Sequence, residues 1–460
     1  MHKTDWLGSN LVFYNEVTGA IGSNLPEVAW GVSEIDPSGL DLYLKYGFSP
    51  LGMTPIKGVR YTPPNSSLFL DSNGHFSIIE VEDPILQYLG KTTPESEAAE
   101  EIERWGATFY SEVDTQNELV ILPLSGGLDS RHLAHLSRGR NDVRAFSYGV
   151  TLNQRTSDEV LSASRVASVC GLSWQRIPLG RYHEQLSRHD KAYGLSTHAH
   201  SMYHMEFFHS IRGILGRPGG IVLSGILGDL WAGSWEFPEV RTPADIAKLA
   251  LAHGIDAEEL RSNPRVSDAE ELFFENHKTN LLDPMYRVVA AARIKMILLR
   301  HLIQTPLGFG FSHKSPFLDL DVAWRMLTVI PSRRKNRLWH RDYLESAVPL
   351  KKVSNRQSDS NLLDLWACFV SPPPSLTLYE PLPPQIRHFP IKEISDAVRV
   401  RGPRFIAAWL EKSLPMRFPR LLALLKRKRG RSKASFGRSY TLYTVIYPLV
   451  SHFSQSNKVS

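Results

Sequence analysis

The sequence predicts an α/β protein with a parallel sheet, a helical companion region and a small β-rich N-terminal segment. Two observations predict this class. Beyond about residue 92, apolar strand-like runs alternate with stretches of helical periodicity, the pattern of a parallel sheet covered by helices. Residues 1 to about 75 instead contain short strand-like pieces separated by turn residues.

Turn and cap residues define the N-terminal elements. Residues 72–74, Ser-Asn-Gly between two apolar runs, indicate a hairpin turn. Residues 92–113 are predicted to form a helix, with Thr93 as its N-cap, Pro94 at the first helical position and acidic residues in the first turn.

Strands and helices alternate after that helix. The sequence predicts strands at 117–124, 142–149, 172–179 and 219–225, and helices at 130–139 and 157–171. A largely helical stretch from about 240 to 350 follows. The Pro-rich residues 370–390 indicate a linker or a strapped loop ahead of the C-terminal region.

Composition and charge disfavour several classes of protein. Cys170 and Cys368 are the only cysteines, which gives no disulfide framework and suits a reducing compartment. We expect a cytoplasmic protein, because no apolar run has the length of a signal-peptide core or of a membrane span.

The net charge of +6 is concentrated in residues 426–438, which contain seven basic residues and no acid. The rest of the chain therefore has a net charge of −1. We therefore expect a solvated tail and no nucleic-acid partner; binding of RNA, or of lipid together with the apolar residues that follow, is the alternative.

The segment ILPLSGGLDSR, residues 121–131, indicates an anion site at the end of a strand. Ligands of open parallel sheets bind beyond the carboxyl ends of the strands. Glycines allow backbone N–H groups to approach a phosphate, and the next helix presents its positive end. Ser125 and Ser130 add hydroxyl donors, and Asp129 supplies an oxygen ligand suited to Mg²⁺.

This SGGxDS pattern resembles the pyrophosphate loop of the ATP pyrophosphatases, which split ATP into AMP and pyrophosphate. Residues 39–71, 158–172 and 315–331, the last containing Pro-Phe-Leu-Asp, are similar to segments of the asparagine-synthetase-like branch. The resemblance covers about residues 30–360. It implies a truncated, non-catalytic glutaminase-like remnant at 1–75 and an ATP-binding domain at 90–365, followed by a Pro-rich linker and basic extension at 366–460.

The same resemblance implies the roles of individual residues, with ATP and Mg²⁺ as cofactors. The pyrophosphate and its metal ion would be held by Ser125, Gly126, Gly127, Asp129 and Ser130. Leu124 and Tyr148 occupy the positions that contact adenine, and Ser224 and Gly225 match a second nucleotide-contacting turn. Asp229 matches a second carboxylate that shares the metal with Asp129.

The chain also departs from the family. His2 stands where glutamine-hydrolysing members have a nucleophilic Cys, and 124 residues precede the loop, so we expect an inactive glutaminase. Nitrogen would then arrive as free ammonia, from a separate glutaminase or as a substrate amine. Ile226 and Leu230 replace two family Glu residues, as acids are also missing in β-lactam synthetase.

A catalytic Lys of the family is absent too. Ser358 stands in its place, and Lys351 and Lys352 just upstream are the candidate substitutes. Four histidines at 198, 200, 204 and 209 have spacing that can bind zinc, although a helix facing the cleft or the surface explains them as well.

These observations predict an AMP-forming amide ligase that adenylates a small-molecule or peptide carboxylate for attack by ammonia or an amine. The alternatives are an intramolecular cyclase of the β-lactam or lasso-peptide type, an amidating enzyme of secondary or surface-polysaccharide metabolism, and a non-catalytic nucleotide-binding partner subunit. A tRNA-modifying enzyme is a further alternative that the basic tail favours and the Pro-Phe-Leu-Asp segment disfavours.

Overall fold

A five-stranded parallel sheet forms the centre of the fold in the computed structural model, which describes residues 1–250, 266–350, 361–376, 384–387, 389–417 and 436–459. The strands of these residues are β1 His2–Lys3, β2 Phe13–Asn15, β3 Ile21–Gly22, β4 Val59–Tyr61, β5 Ser66–Leu70, β6 Phe76–Glu80, β7 Val120–Pro123, β8 Val143–Ser147, β9 Ser173–Arg176, β10 Ile221–Leu223 and β11 Ser312–Lys314. The central order is β11-β10-β7-β8-β9, and all neighbours are parallel. The chain changes direction across the sheet between β7 and β10, and such switch points open a crevice at the carboxyl ends of the strands.

Helices surround this sheet. Their bounds are α1 Leu25–Val28, α2 Pro37–Tyr46, α3 Glu95–Gln116, α4 Leu128–Leu136, α5 Asp158–Cys170, α6 Leu186–Tyr193, α7 Met202–Leu215, α8 Gly228–Ala232, α9 Ile246–Ala250, α10 Asp268–His277, α11 Pro284–Leu299, α12 His301–Gly308, α13 Leu320–Leu327, α14 Pro331–Arg334, α15 Leu338–Ala347, α16 Leu363–Val370, α17 Pro384–Arg387, α18 Ile391–Val398, α19 Pro403–Arg417 and α20 Phe436–Val459. Within the described ranges, none of these helices combines the length and the hydropathy needed to cross a bilayer.

The predicted α/β class is confirmed by the parallel central sheet and its helical cover. The four predicted strands correspond to β7, β8, β9 and β10, each shorter than the sequence pattern suggested. The edge strand β11 was not predicted and lies in the stretch expected to be helical. Its residues, Ser312, His313 and Lys314, are all polar, so no apolar alternation marks it.

The predicted cap of α3 is wrong. The helix begins at Glu95, and Pro94, with φ −59° and ψ 142°, remains outside it. The Thr93 hydroxyl lies 2.7 Å from the Thr328 hydroxyl, and the Thr93 N–H donates to the Thr328 carbonyl at 3.0 Å. Thr93 therefore joins the start of α3 to the segment after α13 instead of capping the helix.

Two small antiparallel sheets, β1-β5-β6 and β3-β2-β4, form the predicted β-rich N-terminal segment. The predicted hairpin turn is confirmed between β5 and β6, where Gly74 has φ +81°. The Asp71 carboxylate accepts the N–H groups of Asn73 and His75, both at 2.8 Å, which fixes this turn.

A buried ion pair ties the N-terminal segment to the helical region. The Lys45 ammonium at the end of α2 donates to both oxygens of Glu270 on α10, at 2.7 and 3.0 Å. The Tyr46 hydroxyl donates to the same carboxylate, and the Ser267 N–H donates to it at 2.9 Å. The Glu270 side chain is fully buried, so these four hydrogen bonds from three donor groups replace its water.

Helix α20 lies inside the protein core. Tyr440, Tyr443 and Leu449 are buried on it. The Tyr43 hydroxyl of α2 donates to the Val445 carbonyl at 3.0 Å. The apolar residues after the basic run thus face protein and not lipid, while residues 426–435 of that run lie outside the described residues. The three proposed domain boundaries stay predictions.

Candidate functional site

Serine hydroxyls organise the loop between β7 and α4. The hydroxyls of Ser125 and Ser130 lie 3.0 Å apart, and the Ser125 N–H donates to the Ser130 hydroxyl at 3.2 Å. The Gly127 N–H donates to the Ser125 hydroxyl at 3.3 Å, and the Gly127 carbonyl accepts from Ser130 at 3.2 Å. This network holds the loop backbone at the N-terminus of α4, where the helix dipole favours an anion.

Gly126 is required by the geometry of this loop. Its φ is +76°, and a Cβ there would lie 2.4 Å from Cβ of Ser162 and 3.0 Å from the backbone nitrogen of Ala163 on α5. A side chain at this position would therefore push the loop away from α5.

The second turn, residues 224–228 between β10 and α8, lies beside the new edge strand. The Ser224 hydroxyl is 2.7 Å from Nε2 of His313 on β11, and the Ser224 N–H donates to the Lys314 carbonyl at 3.0 Å. Burial lowers the pKa of His313 to about 4, so its ring is neutral at pH 7. Leu227 has φ +67°, a strained backbone for leucine, immediately before α8.

Asp129, in the first turn of α4, packs directly against that second turn. A Cβ at Gly225 would lie 3.0 Å from Cβ of Asp129, and one at Gly228 would lie 2.9 Å from its Oδ1. Oδ1 is buried and has no hydrogen-bond partner in the part of the chain that the structure describes. The pKa of Asp129 is raised to about 7, mainly because the carboxyl group is buried and secondly because Asp229 is negatively charged. Asp229, in the first turn of α8, is thus close enough for its charge to act on Asp129, and a pair of carboxylates suits a hard divalent cation.

Residues 116–250, which include both turns and both acids, match the family model of asparagine synthase. These residues form an asparagine synthase domain. The family is one of ATP-using amide ligases, and the recognition of this family from the sequence is confirmed. A search of the curated proteins finds no match to the chain.

Leu124 and Tyr148 lie on neighbouring strand ends of the asparagine synthase domain. The Leu124 N–H donates to the Phe146 carbonyl at 2.8 Å, and the Leu124 side chain is buried. Tyr148 directly follows β8, and its ring makes edge contacts with Tyr203 and Phe207 of α7. The two predicted adenine positions are therefore adjacent strand ends, and the adenine role itself stays a prediction.

Cationic side chains that the sequence reasoning missed lie around the two acids. Nη1 of Arg337 is 3.8 Å from Oδ2 of Asp129. Lys295 on α11 lies over the Phe237 ring at 5.5 Å; burial lowers its pKa to about 8, while the charge of nearby Asp229 acts in the opposite direction. Sequence reasoning missed Lys295 because α11 also contains Arg287 and Arg293, and nothing in the pattern distinguishes the lysine from them.

A pair of buried histidines, His132 and His340, adjoins the asparagine synthase loop. Nδ1 of His132 is 3.0 Å from Nε2 of His340, and both rings are fully buried. Nδ1 of His340 is 3.8 Å from Oδ1 of Asp129. The pKa of His340 is held well below its usual value, first by burial and second by the electrostatic effect of His132, so this ring is neutral. Sequence reasoning missed the pair because α4 and α15 are far apart in the chain.

The remaining predicted residues fall into two groups. Lys351 and Lys352, with Ser358, lie outside the described residues. Of the four clustered histidines, His198 is buried and His204 is half-buried, and desolvation holds the pKa of each well below its usual value. The described residues contain no group of three or more His, Cys, Asp or Glu side chains arranged to hold a metal ion.

Proposed function

We propose that this protein is an AMP-forming amide ligase that uses MgATP to adenylate a carboxylate. The observation that carries the proposal is the packing of Asp129 against the turn that leads into Asp229, beside the glycine-rich loop of an asparagine synthase domain. An unpartnered buried oxygen and a raised pKa at Asp129 are costs that a bound cation would remove.

The predicted residues of the loop, the strand ends and the second turn have a place in this proposal. The loop residues 125–127 and Ser130 would hold the pyrophosphate through N–H and hydroxyl donors. Leu124 and Tyr148 would contact adenine, and the turn at Ser224 and Gly225 would contact the nucleotide from the β10 side. A magnesium ion held by the two acids would neutralise charge on the leaving pyrophosphate.

The chemistry then needs two displacements. An oxygen of the substrate carboxylate attacks the α-phosphorus of ATP, and pyrophosphate leaves with the electrons of the broken P–O bond. An amine next attacks the acyl carbon, loses a proton, and AMP leaves with the electrons of the acyl–oxygen bond. Lys295 and Arg337 are cations placed near the two acids, where negative charge would accumulate.

The first test is a product analysis of the purified protein with MgATP, ammonium and a panel of carboxylates that begins with aspartate. AMP, pyrophosphate and the amide are quantified together. We expect all three in equal amounts with the correct carboxylate, and a loss of about 100-fold or more in Asp129→Asn, because that change removes a charge from the metal site.

Asp71→Asn, in the hairpin of the N-terminal segment, is the matched control and is expected to retain full turnover. ADP in place of AMP would overturn the proposed reaction. A folded protein that binds MgATP but forms neither AMP nor amide with any carboxylate would favour the non-catalytic partner subunit.

A second candidate keeps the adenylation and changes the nucleophile to an amine within the substrate. Ile226, which is buried, and Leu230, which is half-buried, lie on either side of Asp229 where the resembled family has acids. Product mass distinguishes the two candidates, because cyclisation removes one water from the substrate and adds no nitrogen.

A further inference from the structure

A line of side chains, with two fully buried histidines at its centre, runs from Asp129 to the surface helix α3. Oδ1 of Asp129 is 3.8 Å from Nδ1 of His340, and Nε2 of His340 is 3.0 Å from Nδ1 of His132. Nε2 of His132 is in turn 3.5 Å from Oε1 of Glu103, which also accepts the hydroxyl of Tyr343. Three helices, α4, α15 and α3, contribute to this line.

Two polar atoms face each other at the site without forming a hydrogen bond. Oδ1 of Asp129 and Nδ1 of His340 are buried, and neither has a hydrogen-bond partner among the residues described. Buried polar atoms are nearly always paired in folded proteins. The gap of 3.8 Å leaves no room for water and closes to a hydrogen bond with a movement of under about 1 Å.

The direction of the hydrogen bonds follows from the two carboxylates. When a bound cation keeps Asp129 ionised, its Oδ1 needs a donor, so a proton belongs on Nδ1 of His340 and Nε2 of that ring accepts from His132. His132 then donates from Nδ1 towards His340. Donation from its Nε2 towards Glu103 as well requires a second proton on that ring, which the negative charge of Glu103 favours. Burial alone would raise the pKa of Glu103, but contacts from His132 and Tyr343 lower it, so it is ionised.

We propose that His340 is a positioning residue that fixes the Asp129 carboxylate for the magnesium nucleotide, and that Glu103 fixes His340 through His132. This inference rests on the proposed function. Side chains that orient metal ligands in this way are worth roughly 10- to 100-fold in metal affinity.

A pair of substitutions separates the two contacts of His340. The amide of asparagine replaces the imidazole near Nδ1, so His340→Asn keeps the donor towards Asp129. The amide of glutamine reaches the region of Nε2, so His340→Gln keeps the contact with His132 and loses the donor. The measurement is calorimetric binding of Mg²⁺ with α,β-methylene ATP, an analogue that cannot release pyrophosphate.

We expect His340→Gln to weaken binding of the magnesium complex by about 10-fold or more and His340→Asn to weaken it less, because only His340→Asn keeps the donor towards Asp129. Glu103→Gln should weaken binding in the wild-type background and have no effect on top of His340→Asn, since that variant no longer connects to His132. His189→Asn, which removes the 2.8 Å contact of a buried histidine Nε2 with the Ser201 hydroxyl, is the control for lost stability. It should lower the melting temperature without altering the affinity.

Equal affinities in the two His340 variants would overturn the positioning role and indicate that His340 only packs. An additive effect of Glu103→Gln in the His340→Asn background would overturn the role of Glu103. A wild-type protein that binds no magnesium nucleotide would instead overturn the proposed function itself.

Discussion

Two buried carboxylates in this molecule differ in their hydrogen-bond donors and in the direction in which their pKa is shifted. Glu270 is fully buried and receives donors from Lys45, Tyr46 and Ser267. Burial alone would raise its pKa, but those donors, Lys45 first, lower it below the usual value. Asp129 is also largely buried, yet one of its oxygens has no partner in the described part of the protein, and its pKa is raised to about 7.

The difference separates a carboxylate that stabilises the fold from one that is held ready for a ligand. Glu270 exchanges its hydration for bonds to protein donors, which is how a buried charge becomes tolerable. Asp129 gives up hydration and gains a repulsive neighbour, Asp229. Local conflicts of this kind concentrate at functional sites, where a ligand completes the set of contacts.

The largest effect on stability is expected from Glu270→Ala. The change leaves the Lys45 ammonium buried without its counter-charge, and the free energy of unfolding should fall by about 3–5 kcal/mol. Urea unfolding followed by circular dichroism measures this. Asp129→Asn provides the contrast, because it removes a repulsive charge and should leave stability equal or higher. A loss below about 1 kcal/mol in Glu270→Ala would remove the distinction between the two sites.

The two carboxylates should also differ in pH dependence, measured as melting temperature in metal-free buffer with a chelator. The folded-state pKa of Asp129, about 7, lies above its ordinary value of 3.8. Its contribution to stability is therefore fully present below pH 3.8 and is lost as pH rises through 7. The pKa of Glu270 lies below its ordinary 4.5, so its contribution is present above 4.5 and is lost as pH falls.

Between pH 5 and pH 8, only Asp129 of these two groups titrates. The stability gained by Asp129→Asn over wild type should thus grow across that range, by about 2 kcal/mol. The difference between Glu270→Gln and wild type should stay constant. Parallel pH profiles for Asp129→Asn and wild type would show that Asp129 is ionised at pH 5.

The smallest effect is expected from Tyr46→Phe. It removes one of the donors to Glu270 and leaves the Lys45 pair in place, so the loss should be about 1–2 kcal/mol in the same urea measurement. A loss as large as that of Glu270→Ala would mean that the hydroxyl, and not the ammonium, holds the carboxylate.

The sequence predicted those parts of the molecule that depend on local pattern. The apolar runs of β7, β8, β9 and β10 and the glycines after β7 are visible in neighbouring residues, and they led to the correct sheet and to the turn between β7 and α4. Asp229 was found only through the resemblance. The polar strand β11 was missed because hydrogen bonds to β10 create it, and no apolar period marks it.

The rest of the candidate site depends on contacts between distant segments. His132 and His340 are ordinary helical residues in the sequence, and only the packing of α15 on α4 brings their rings together. The same is true of Lys295, whose position near Asp229 follows from how α11 packs beside α8. Neither spacing nor composition records such neighbours, so a single sequence could not have identified them.

The burial of α20 has a consequence for how the protein is made. Tyr43, near the start of the chain, bonds to the Val445 backbone, and His183 lies 3.1 Å from the Tyr440 hydroxyl. During translation, neither partner exists until the segment around residues 440–445 has emerged from the ribosome. The N-terminal half must therefore wait, with part of its core exposed to solvent, for a helix synthesised some 400 residues later. This interval is when the nascent chain is most open to chaperones, to proteases and to self-association.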